Sequence, residues 1–382
     1  MKIIDLFAGC GGLTIGFHRE GFQSVSFLEW DEACINTLKA NFQKDEQEPL
    51  FLQKDIRFFE SYLPNLVEAV QAADGIDGII GGPPCQAYSM AGRVRDPNSM
   101  KTDYRNFLFE SYCEILKALK PRFFVFENVP GILSAKPYGQ NILIDIAKGF
   151  ASAGYECGTI DKNIVYDFAD FGGPQKRKRI IIFGVHHTVR DATHIVSDFH
   201  KMMTKKKTFK PSTVYNAIGD LPEVMPHQDP SQRRISHISH SDDPMHQPRF
   251  HSERDMNIFR LLATDAKSND PKYQSTESLK KLYFDMVGKE SNVHKYHVLR
   301  QDQPSNLIPA HLYKDGLRHI HPDPDQARSI TPREAARLQS FPDDYQFVGS
   351  KSDIYKMIGN AVAPDFSKII AQTIKEIMPL SN

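Results

Sequence analysis

The amino-acid sequence predicts an α/β protein with a doubly wound, mostly parallel sheet and a second, smaller mixed domain. In the first half of the chain, short apolar runs alternate with segments of helical periodicity, the order that builds a parallel sheet covered by helices. After about residue 186 the periodicity weakens, and Pro, Ser, Asn and His become frequent. The 382 residues, 40% hydrophobic and 25% charged, are enough for two globular domains.

The predicted elements of the first half follow one another along the chain. Apolar runs predict strands at 3–7, 25–28, 78–80, 123–126, 160–166 and 179–185. Apolar residues at helical spacing predict helices at 13–20, 32–41, 107–119 and 141–153.

Regular structure is expected again towards the end of the chain. Thr331 and Glu334 have the spacing of a capping box, with Pro332 at the first helical position, so a helix is predicted to begin there. A final amphipathic helix is predicted at 365–377. We predict one domain from residues 1–186 with 351–382, and a second domain from residues 187–350.

Composition limits the function classes. The formal net charge is zero, with 47 basic and 47 acidic residues, so a surface that binds nucleic acid must be a local basic patch. No run of about 18 apolar residues predicts a membrane span. The five cysteines include no Cys-x-x-Cys pair, which argues against a zinc knuckle and a disulfide scaffold and favours the reducing cytoplasm.

The segment GGPPCQAYS at 81–89 contains the first candidate for chemistry, Cys85. It follows two prolines just after a predicted strand, where open α/β sheets carry reactive groups. Prolines restrict the backbone, so the thiol is presented stiffly, and a thiolate stabilised by positive charge is a strong nucleophile. By itself the pattern fits a catalytic nucleophile and a buried structural cysteine equally well.

The segment DLFAGCGG at 5–12 predicts a strand, a glycine-rich turn and the start of a helix. Such a turn lets a ligand approach the backbone, and an acidic residue at the end of the next strand, here Glu29, can hold ribose hydroxyls. Thr14 stands where a dinucleotide fingerprint has its third glycine, so a mononucleoside ligand such as S-adenosylmethionine fits better. Trp30, the only tryptophan, could stack on its adenine. The alternative is a turn that only packs helix on strand.

Two further segments bring charged groups towards the same sheet edge. Glu127 follows a predicted strand and emerges beside Cys85 if the strands are parallel, where a carboxyl group suits hydrogen bonding or proton transfer. Arg177 and Arg179 alternate along the approach to the next strand, so both can point to one face and contact a thiolate, a base or a phosphate. The structural alternative for Glu127 is a helix cap or a salt bridge. For Arg177 and Arg179 it is a basic turn exposed to solvent.

Taken in order, these segments resemble the DNA cytosine-5 methyltransferases, most closely those of bacterial restriction-modification systems. The motifs are DLFAGCGG at 5–12, PCQ at 84–86, ENV at 127–129, QKRKR at 175–179, RSITPRE at 328–334 and GNAV at 359–362. Six motifs in one order are far more specific than any one of them. The resemblance covers the chain except about 190–290, and implies the fold of S-adenosylmethionine-dependent methyltransferases, with 187–350 as the DNA-binding target-recognition domain.

The resemblance also implies a reaction. A methyl group would pass from S-adenosylmethionine to C5 of a cytosine flipped out of a short, specific site in duplex DNA. Cys85 would form a covalent bond to C6, Glu127 would contact the N3/N4 edge, and Arg179 would contact O2. Arg177 would support the catalytic loop or contact a phosphate.

The same resemblance implies binding residues and partners. The methyl donor would be held by Phe7, Gly9, Gly11, Gly12, Glu29, Trp30, Asp55, Ile56, Pro83, Leu108 and Asn360. A loop at about 89–105 would close over the flipped base, and its DNA contacts would come from Ser89, Arg93, Arg95 and Arg105. Lysines at 201–210 and the pair Arg233-Arg234 would add local affinity for DNA. We expect no metal, and a monomer at the nucleoid in the cytoplasm, with a cognate restriction endonuclease encoded nearby.

Three alternatives stay open at this point. A tRNA cytosine-5 methyltransferase would carry the same motifs, although the long segment 187–327 favours duplex DNA. A catalytically silent protein that binds DNA or S-adenosylmethionine as a regulator would have no use for an intact set of catalytic residues. A metal site at His237, His240, His246 and His251 competes with the simpler interpretation that these are neutral surface histidines near DNA phosphates.

Overall fold

Eight strands form the central sheet of the computed structural model, which describes residues 1–43, 48–84, 108–136, 139–227, 235–314 and 316–379. They are β1 (Lys2–Leu6), β2 (Gln23–Glu29), β3 (Leu50–Gln53), β4 (Gly78–Gly81), β5 (Phe123–Asn128), β6 (Tyr155–Glu156), β7 (Val165–Asp167) and β8 (Lys178–His186). Two short strands, β9 (Val224–Pro226) and β10 (His237–Ser239), pair antiparallel elsewhere. The strand predicted at 160–166 is confined to β7, because residues 162–164 form a 3-10 turn.

The helices of the first half lie between the strands of the sheet. They are α1 (Gly12–Arg19), α2 (Glu32–Phe42), α3 (Leu63–Ala72), α4 (Leu108–Leu119), α5 (Ile142–Ser152) and, after β8, α6 (Ala192–Lys205). The later helices are α7 (Val214–Ile218), α8 (Glu253–Lys267), α9 (Thr276–Val287), α10 (Pro332–Leu338), α11 (Lys351–Asn360) and α12 (Pro364–Ile377). Within the described ranges, no helix combines the length and the apolar character that crossing a membrane requires.

The strand order across the sheet is β3-β2-β1-β4-β5-β8-β6, and β7 also pairs with β8. Strands β1 to β5 are all parallel, whereas β8 runs antiparallel to β5 and therefore starts at the edge where β5 ends. The chain winds outwards from β1 in both directions, which leaves a crevice outside the carboxyl ends of β1 and β4. The mostly parallel α/β architecture predicted from the sequence is confirmed.

The first and last helices cover the sheet as neighbours. The strands beneath are apolar on both faces, as the complete burial of the successive residues Ile79 and Ile80 of β4 shows. Helix α12 approaches α1 so closely that a Cβ on Gly16 would lie 2.2 Å from the backbone nitrogen of Lys368. Glycine at this position is what lets the two ends of the chain share one layer.

The capping box predicted at the start of α10 is confirmed. The hydroxyl of Thr331 accepts from the backbone N–H of Glu334 at 3.2 Å, and the carboxylate of Glu334 accepts from the backbone N–H of Thr331 at 2.7 Å. Two backbone donors that the helix leaves unused are thereby satisfied.

Helix α6 lies beyond the domain boundary predicted at residue 186, yet it packs on the sheet. Its Val196, Phe199 and Met203 belong to the buried cluster that surrounds the sheet, and Phe199 stacks on Phe183 of β8 with ring centroids 4.3 Å apart. The residues that pack on the sheet therefore continue past residue 186 to the end of α6.

The lysines at 201–210 were expected to add affinity for DNA, but three of them have carboxylate partners within the chain, the first being Lys201 with Asp198 at 3.1 Å. Lys206 pairs with Glu376 at 2.7 Å, and Lys207 pairs with Asp170 at 3.3 Å. Glu376 lies in α12 and Asp170 lies between β7 and β8, and all four side chains are partly exposed, so each pair occupies the lysine but contributes little to stability.

The remaining segments divide between two further apolar clusters. Residues of α10 and the turn after it join Cys10 and Phe27 of the first half in one of them. Helices α8 and α9 have a core of their own, made of Ile258, Phe259, Leu262, Leu279, Leu282, Tyr283, Tyr296 and Ile320. A second domain at 187–350 stays a prediction, and the α8–α9 cluster is the part of it whose core is separate from the sheet.

Candidate active site

A cavity of about 310 Å³ opens where the carboxyl ends of the parallel strands meet. Its walls come from the turn after β1, the ends of β2, β3 and β4, the edge of β5 and the face of α11. Predicted site residues that line it are Phe7, Gly9, Gly12, Glu29, Trp30, Asp55, Ile56, Pro83, Leu108, Glu127, Arg179 and Asn360. One enclosure therefore brings together most of the described residues that the sequence assigned to the methyl donor and to catalysis.

The turn after β1 has a backbone shaped for close approach of a ligand. Phe7 has φ +60°, a left-handed conformation that costs a non-glycine residue of order 1–3 kcal/mol and that proteins keep mainly at functional sites. Gly9 follows with φ +55°, and a Cβ added there would meet no atom within 4 Å. Open space above Gly9 faces the cavity, so a ligand can reach the backbone there.

Gly11 serves packing rather than the cavity. It has φ +80°, and a Cβ would lie 2.9 Å from the ring of Phe42 and 3.0 Å from Leu38 and Tyr345. The glycine lets α1 start tightly against α2, and it stands outside the cavity lining, in contrast to the role predicted for it.

Glu29 is held beneath the turn by backbone donors. Its carboxylate accepts from the N–H of Gly9 at 2.8 Å, of Trp30 at 2.8 Å and of Asp31 at 3.0 Å. Burial raises the pKa of Glu29, and these three donors oppose that rise. The side chain is consequently locked in place, with the cavity beside it.

Asp5 lines the cavity below Glu29, a position that the sequence reasoning did not single out. It is 1% exposed, and the hydroxyl of Thr14 donates to its carboxylate at 2.5 Å. Burial raises the pKa of Asp5 to about 8, against the hydrogen bond from Thr14. Its place inside a strand motif gave no sequence signal that separated it from an ordinary core position.

Helix α11 forms the opposite wall and was only partly predicted. Lys356 pairs with Asp31 at 2.7 Å, which joins α11 to the start of α2 across the cavity. Both residues line the cavity, as do Met357 and the predicted Asn360. Spacing along α11 places Lys356 and Asn360 on one helix face, a signal that the GNAV motif alone did not carry.

Glu127 and Arg179 meet at the edge between β5 and β8. Arg179 Nε lies 2.6 Å from Glu127 Oε1, and the two side chains are only 9% and 10% exposed. A second guanidinium nitrogen of Arg179 donates to the carbonyl of Lys178 at 2.8 Å. Because β8 is antiparallel to β5, the start of β8 delivers Arg179 to the place where β5 delivers Glu127.

The loop that follows β4 begins beside this pair. A Cβ on Gly82 would lie 2.6 Å from Glu127 Oε2, and Asn128 donates its side-chain amide to the carbonyl of Pro83 at 3.3 Å. Pro83 and Pro84 line the cavity next to the ion pair. The predicted nucleophile and DNA-contacting residues that come next lie outside the described residues: Cys85, Ser89, Arg93, Arg95 and Arg105.

The four described cysteines are poor nucleophiles. All are buried, and burial raises the pKa of Cys10 to about 12, of Cys113 to about 12 and of Cys157 to about 11. Burial also raises the pKa of Cys34. A thiol that stays protonated at neutral pH reacts slowly, so the thiol chemistry expected of this protein falls to Cys85.

Arg177 lies apart from the cavity lining. It is 2% exposed, and its guanidinium donates to the carbonyls of Ile308, Gly359 and Ala361. The alternation that suggested a shared face with Arg179 did not reveal that the two side chains reach different partners.

The histidines proposed for a metal site have protein partners instead. His237, His246 and His251 are buried, so the interpretation that they are surface histidines near phosphates is wrong for these three. His237 bonds to the carbonyl of Gln326 at 2.8 Å, and His246 to the carbonyl of Pro222 at 2.8 Å. Across the part of the chain that the structure describes, no cluster of three or more His, Cys, Asp or Glu could hold a metal ion.

Comparison with known proteins gives the site a context. The family model described as C-5 cytosine-specific DNA methylase matches residues 1–376. The type II methyltransferase M.Bpa9945I of Bacillus paralicheniformis is 32% identical, and the alignment covers 99% of each chain. The type II methyltransferase M1.HphI of Haemophilus parahaemolyticus is 31% identical over 98% of this chain and 86% of its own.

Solved structures agree with the sequence comparison. A protein described as a DNA modification methyltransferase encoded within an E. coli prophage has a TM-score of 0.63 at 26% identity, with 99% of each chain covered. The Entamoeba histolytica methyltransferase EhMeth has a TM-score of 0.56 at 15% identity, covering 99% of this chain and 97% of its own, which supports the fold alone.

Proposed function

The chain belongs to the family of C-5 cytosine-specific DNA methylases, and we propose that it transfers a methyl group from S-adenosylmethionine to a cytosine flipped out of a short, specific duplex DNA site. The observation that carries this proposal is the Glu127–Arg179 pair, which borders the same cavity as the glycine-rich turn and the prolines that precede Cys85. The methyl donor, the flipped cytosine and the thiol of Cys85 are all expected at that one edge of the sheet.

The walls of the cavity suit S-adenosylmethionine. Phe7 and Trp30 offer aromatic surface for adenine, and the carboxylates of Glu29 and Asp55 suit ribose hydroxyls and the adenine edge. The open space above Gly9 matches a ligand that lies against the backbone. When bound, the donor would supply a methyl group carried on a positively charged sulfur.

Glu127 and Arg179 present opposite charges to a cytosine. The carboxyl group of Glu127 can bond to the N3/N4 edge, and the guanidinium of Arg179 can donate to O2. In the protein without a base the two groups pair at 2.6 Å, so neither buried charge is left without a partner. Groups already aligned in this way need little reorganisation when charge develops on the base.

We assign the covalent chemistry to Cys85. Its thiolate adds to C6 of cytosine, which forms the S–C6 bond and moves the electron pair of the C5=C6 double bond to C5. C5 then uses that electron pair to take the methyl group, and the bond between the methyl carbon and the donor's sulfur breaks with its electron pair left on the sulfur, which gives S-adenosylhomocysteine. A proton acceptor then removes the C5 proton. The electron pair of the C5–H bond restores the C5=C6 double bond, and the S–C6 bond breaks to release the thiolate. Because C5 and C6 lie inside the stacked duplex, the cytosine must first be flipped out, and the loop at about 89–105 is expected to close over it.

The biological role follows from the relatives. Since similar chains from Bacillus paralicheniformis and Haemophilus parahaemolyticus are type II methyltransferases, we propose that this protein is the modification component of a restriction-modification system. It would act as a monomer on DNA at the nucleoid in the cytoplasm, with a cognate endonuclease encoded nearby.

The first experiment identifies the substrate. Bisulfite sequencing of DNA from cells that express the protein should show methylcytosine at one short sequence. Purified protein with radiolabelled S-adenosylmethionine should then label duplex DNA that contains that sequence, and leave tRNA unlabelled. Labelling of tRNA alone would overturn the proposal, and no labelling of either would favour a silent regulator.

The second experiment tests the nucleophile. Cys85→Ala should abolish methyl transfer while binding of S-adenosylmethionine persists, and Cys113→Ala, at a buried cysteine of a helix, serves as the matched control that keeps methyl transfer. Duplex DNA with 5-fluorocytosine at the target position should trap a covalent adduct with the wild type, because fluorine cannot leave as the C5 proton does. Full activity of Cys85→Ala, or an adduct with that variant, would refute the assignment.

A further inference from the structure

The carboxyl end of α11 is held by side chains from outside the helix. The last carbonyls of an α-helix lack partners within the helix and must find donors elsewhere. Met357 accepts from the backbone N–H of Ala361 at 3.0 Å and from the thiol of Cys10 at 3.6 Å. The carbonyls of Ile358, Gly359 and Ala361 take donors from two distant residues, Arg177 and Gln339.

Arg177 and Gln339 divide these carbonyls between them. Arg177 donates to Gly359 at 3.0 Å and to Ala361 at 2.7 Å, and Gln339 donates to Ile358 at 3.1 Å and to Ala361 at 2.7 Å. Arg177 is 2% exposed and Gln339 is fully buried. A cation at the carboxyl end of a helix also interacts favourably with the helix dipole.

A third buried side chain fixes the geometry of these donors. Gln175 donates to the side-chain oxygen of Gln339 at 2.5 Å, and accepts from the backbone N–H of Ile308 at 3.1 Å. The guanidinium of Arg177 donates to the carbonyl of the same Ile308 at 3.2 Å. Gln339 therefore has its amide oriented by a partner, and cannot rotate without losing several bonds.

The segment that these residues hold forms a wall of the donor cavity. Asn360, Ala361 and Val362 all line it, and Asn360 is exposed on that side. The wall is closely packed on its other side, because a Cβ on Gly359 would lie 2.4 Å from the backbone of Pro309. Arg177 stands two residues before Arg179 in the sequence. One short stretch of chain therefore contacts the cavity wall at 360–362 through Arg177 and supplies the guanidinium of Arg179 to the proposed cytosine site.

We propose that Arg177 and Gln339 are positioning residues, which cap the carboxyl end of α11 and thereby set the Asn360–Val362 wall for binding of the methyl donor. On this proposal Arg177 affects the affinity for S-adenosylmethionine, whereas Arg179 is the residue that contacts the cytosine. This inference rests on the proposed function for the identity of the ligand, S-adenosylmethionine, and on the described contacts for the two residues.

The test measures donor affinity with a signal from the cavity itself. Trp30 is the only tryptophan, is 65% exposed and lines the cavity, so its fluorescence should report titration with S-adenosylhomocysteine. Gln339→Met keeps the volume and removes the bonds to Ile358 and Ala361. We expect the dissociation constant to rise about ten-fold, which is about 1.4 kcal/mol of binding free energy, with kcat at saturating donor within about two-fold of the wild type.

Variants at Arg177 supply a graded series. Arg177→Met should weaken donor binding more than Gln339→Met does, and Arg177→Lys should recover part of the loss, because an ammonium still donates to helix carbonyls but lacks the planar fork. Tyr155→Phe is the matched control, since it removes a buried hydrogen bond to the carbonyl of Pro121 at 2.8 Å, at the opposite edge of the sheet. It should lower stability somewhat and leave donor affinity unchanged.

The outcomes separate this inference from the proposed function. Failure of the wild type to bind S-adenosylhomocysteine would count against the proposed function itself. If Gln339→Met and Arg177→Lys bound S-adenosylhomocysteine with the same affinity as the wild type, the positioning role would be refuted. Equal weakening by Tyr155→Phe would also refute it, because the effect would then follow from general stability. Should Gln339→Met fail to fold by circular dichroism, Arg177→Lys decides the question alone.

Discussion

Two regions of the molecule each bury an arginine–carboxylate pair, and they use it in opposite ways. At the sheet edge, Arg179 and Glu127 share one contact of 2.6 Å beside the cavity. At the start of α10, Arg328 and Glu334 share two contacts of 2.7 Å each, and both side chains are 1% exposed.

The number of remaining bonds distinguishes the two pairs. Arg328 donates further to Gln326 at 2.6 Å and to the carbonyl of Ser329 at 3.2 Å, and Glu334 accepts from the backbone of Thr331. Every strong donor and acceptor there is used within the chain, so the pair stabilises the fold. Among the described residues, the sheet-edge pair has fewer partners, namely its own contact and the carbonyl of Lys178, and it lines a cavity. Burial and charge alone therefore do not distinguish a pair that stabilises the fold from one proposed to act on a ligand; the number of partners does.

The largest expected effect tests the sheet-edge pair. Glu127→Gln keeps the shape of the side chain and removes its charge, and should lower the rate of methyl transfer about 100- to 1,000-fold, as for loss of one preorganised group. Because this pair shares a single contact and lines a cavity, the free energy of unfolding should fall by only about 1 kcal/mol. Single-turnover methylation and urea unfolding measure the two effects. A large loss of stability with normal turnover would reverse the comparison.

The same substitution at the second pair should give the opposite balance. Glu334→Gln leaves Arg328 charged and fully buried, and removal of one partner of a buried pair costs about 3–5 kcal/mol of unfolding free energy. Urea unfolding followed by circular dichroism measures this loss. At a temperature where the variant stays folded, methyl transfer per molecule should remain within about three-fold of the wild type, and a loss as deep as that of Glu127→Gln would contradict the structural role.

The smallest effect concerns pH, where the two regions should differ in sign. Burial lowers the pKa of His251 to about 2, next to Arg328 and His237, so its contribution to stability is present above about pH 6.5 and is lost as the pH falls. Burial raises the pKa of Asp5 to about 8, so its contribution is present at low pH and is lost as the pH rises from about 4 to 8.

Variants at these two residues should change the pH slope of stability in opposite directions. Between pH 6.5 and 5.5, His251→Gln should make the fall in unfolding free energy shallower by about 1 kcal/mol, and Asp5→Asn should make it steeper by a similar amount. Urea unfolding at the two pH values gives the slopes. Unchanged slopes in both variants would mean that neither group titrates differently in the folded and unfolded states.

Local patterns predicted the first half of the fold well. Most of the predicted strands and helices, the glycine-rich turn and the capping box at Thr331 correspond to elements of the structure, and the family recognised from six motifs is confirmed. Each of these signals depends on residues close together in the chain, which is why a sequence can carry them. The elements β3, α3 and β6 were not predicted, and residues 162–164 of the strand predicted at 160–166 form a 3-10 turn.

What the sequence did not reveal depends on contacts between distant segments. The carbonyls that accept from the guanidinium of Arg177 lie more than 130 residues away in the sequence. The cluster His237, His240, His246 and His251 was interpreted as surface histidines near DNA phosphates, yet His237 and His246 satisfy both ring nitrogens within the chain and are buried. The roles of the individual site residues stay predictions until the experiments above are done.

The contact between α1 and α12 makes the cavity depend on two segments that are far apart in the sequence. Ser367 donates to the carbonyl of Leu13 across 354 residues, and a Cβ on Gly12 would lie 2.4 Å from the carbonyl of Val362. One side of the cavity comes from the turn before α1 and another from α11 and the residues after it, so the cavity is complete only when contacts of long sequence separation have formed. A molecule that has folded its sheet but has not yet placed α12 on α1 therefore lacks a finished cavity.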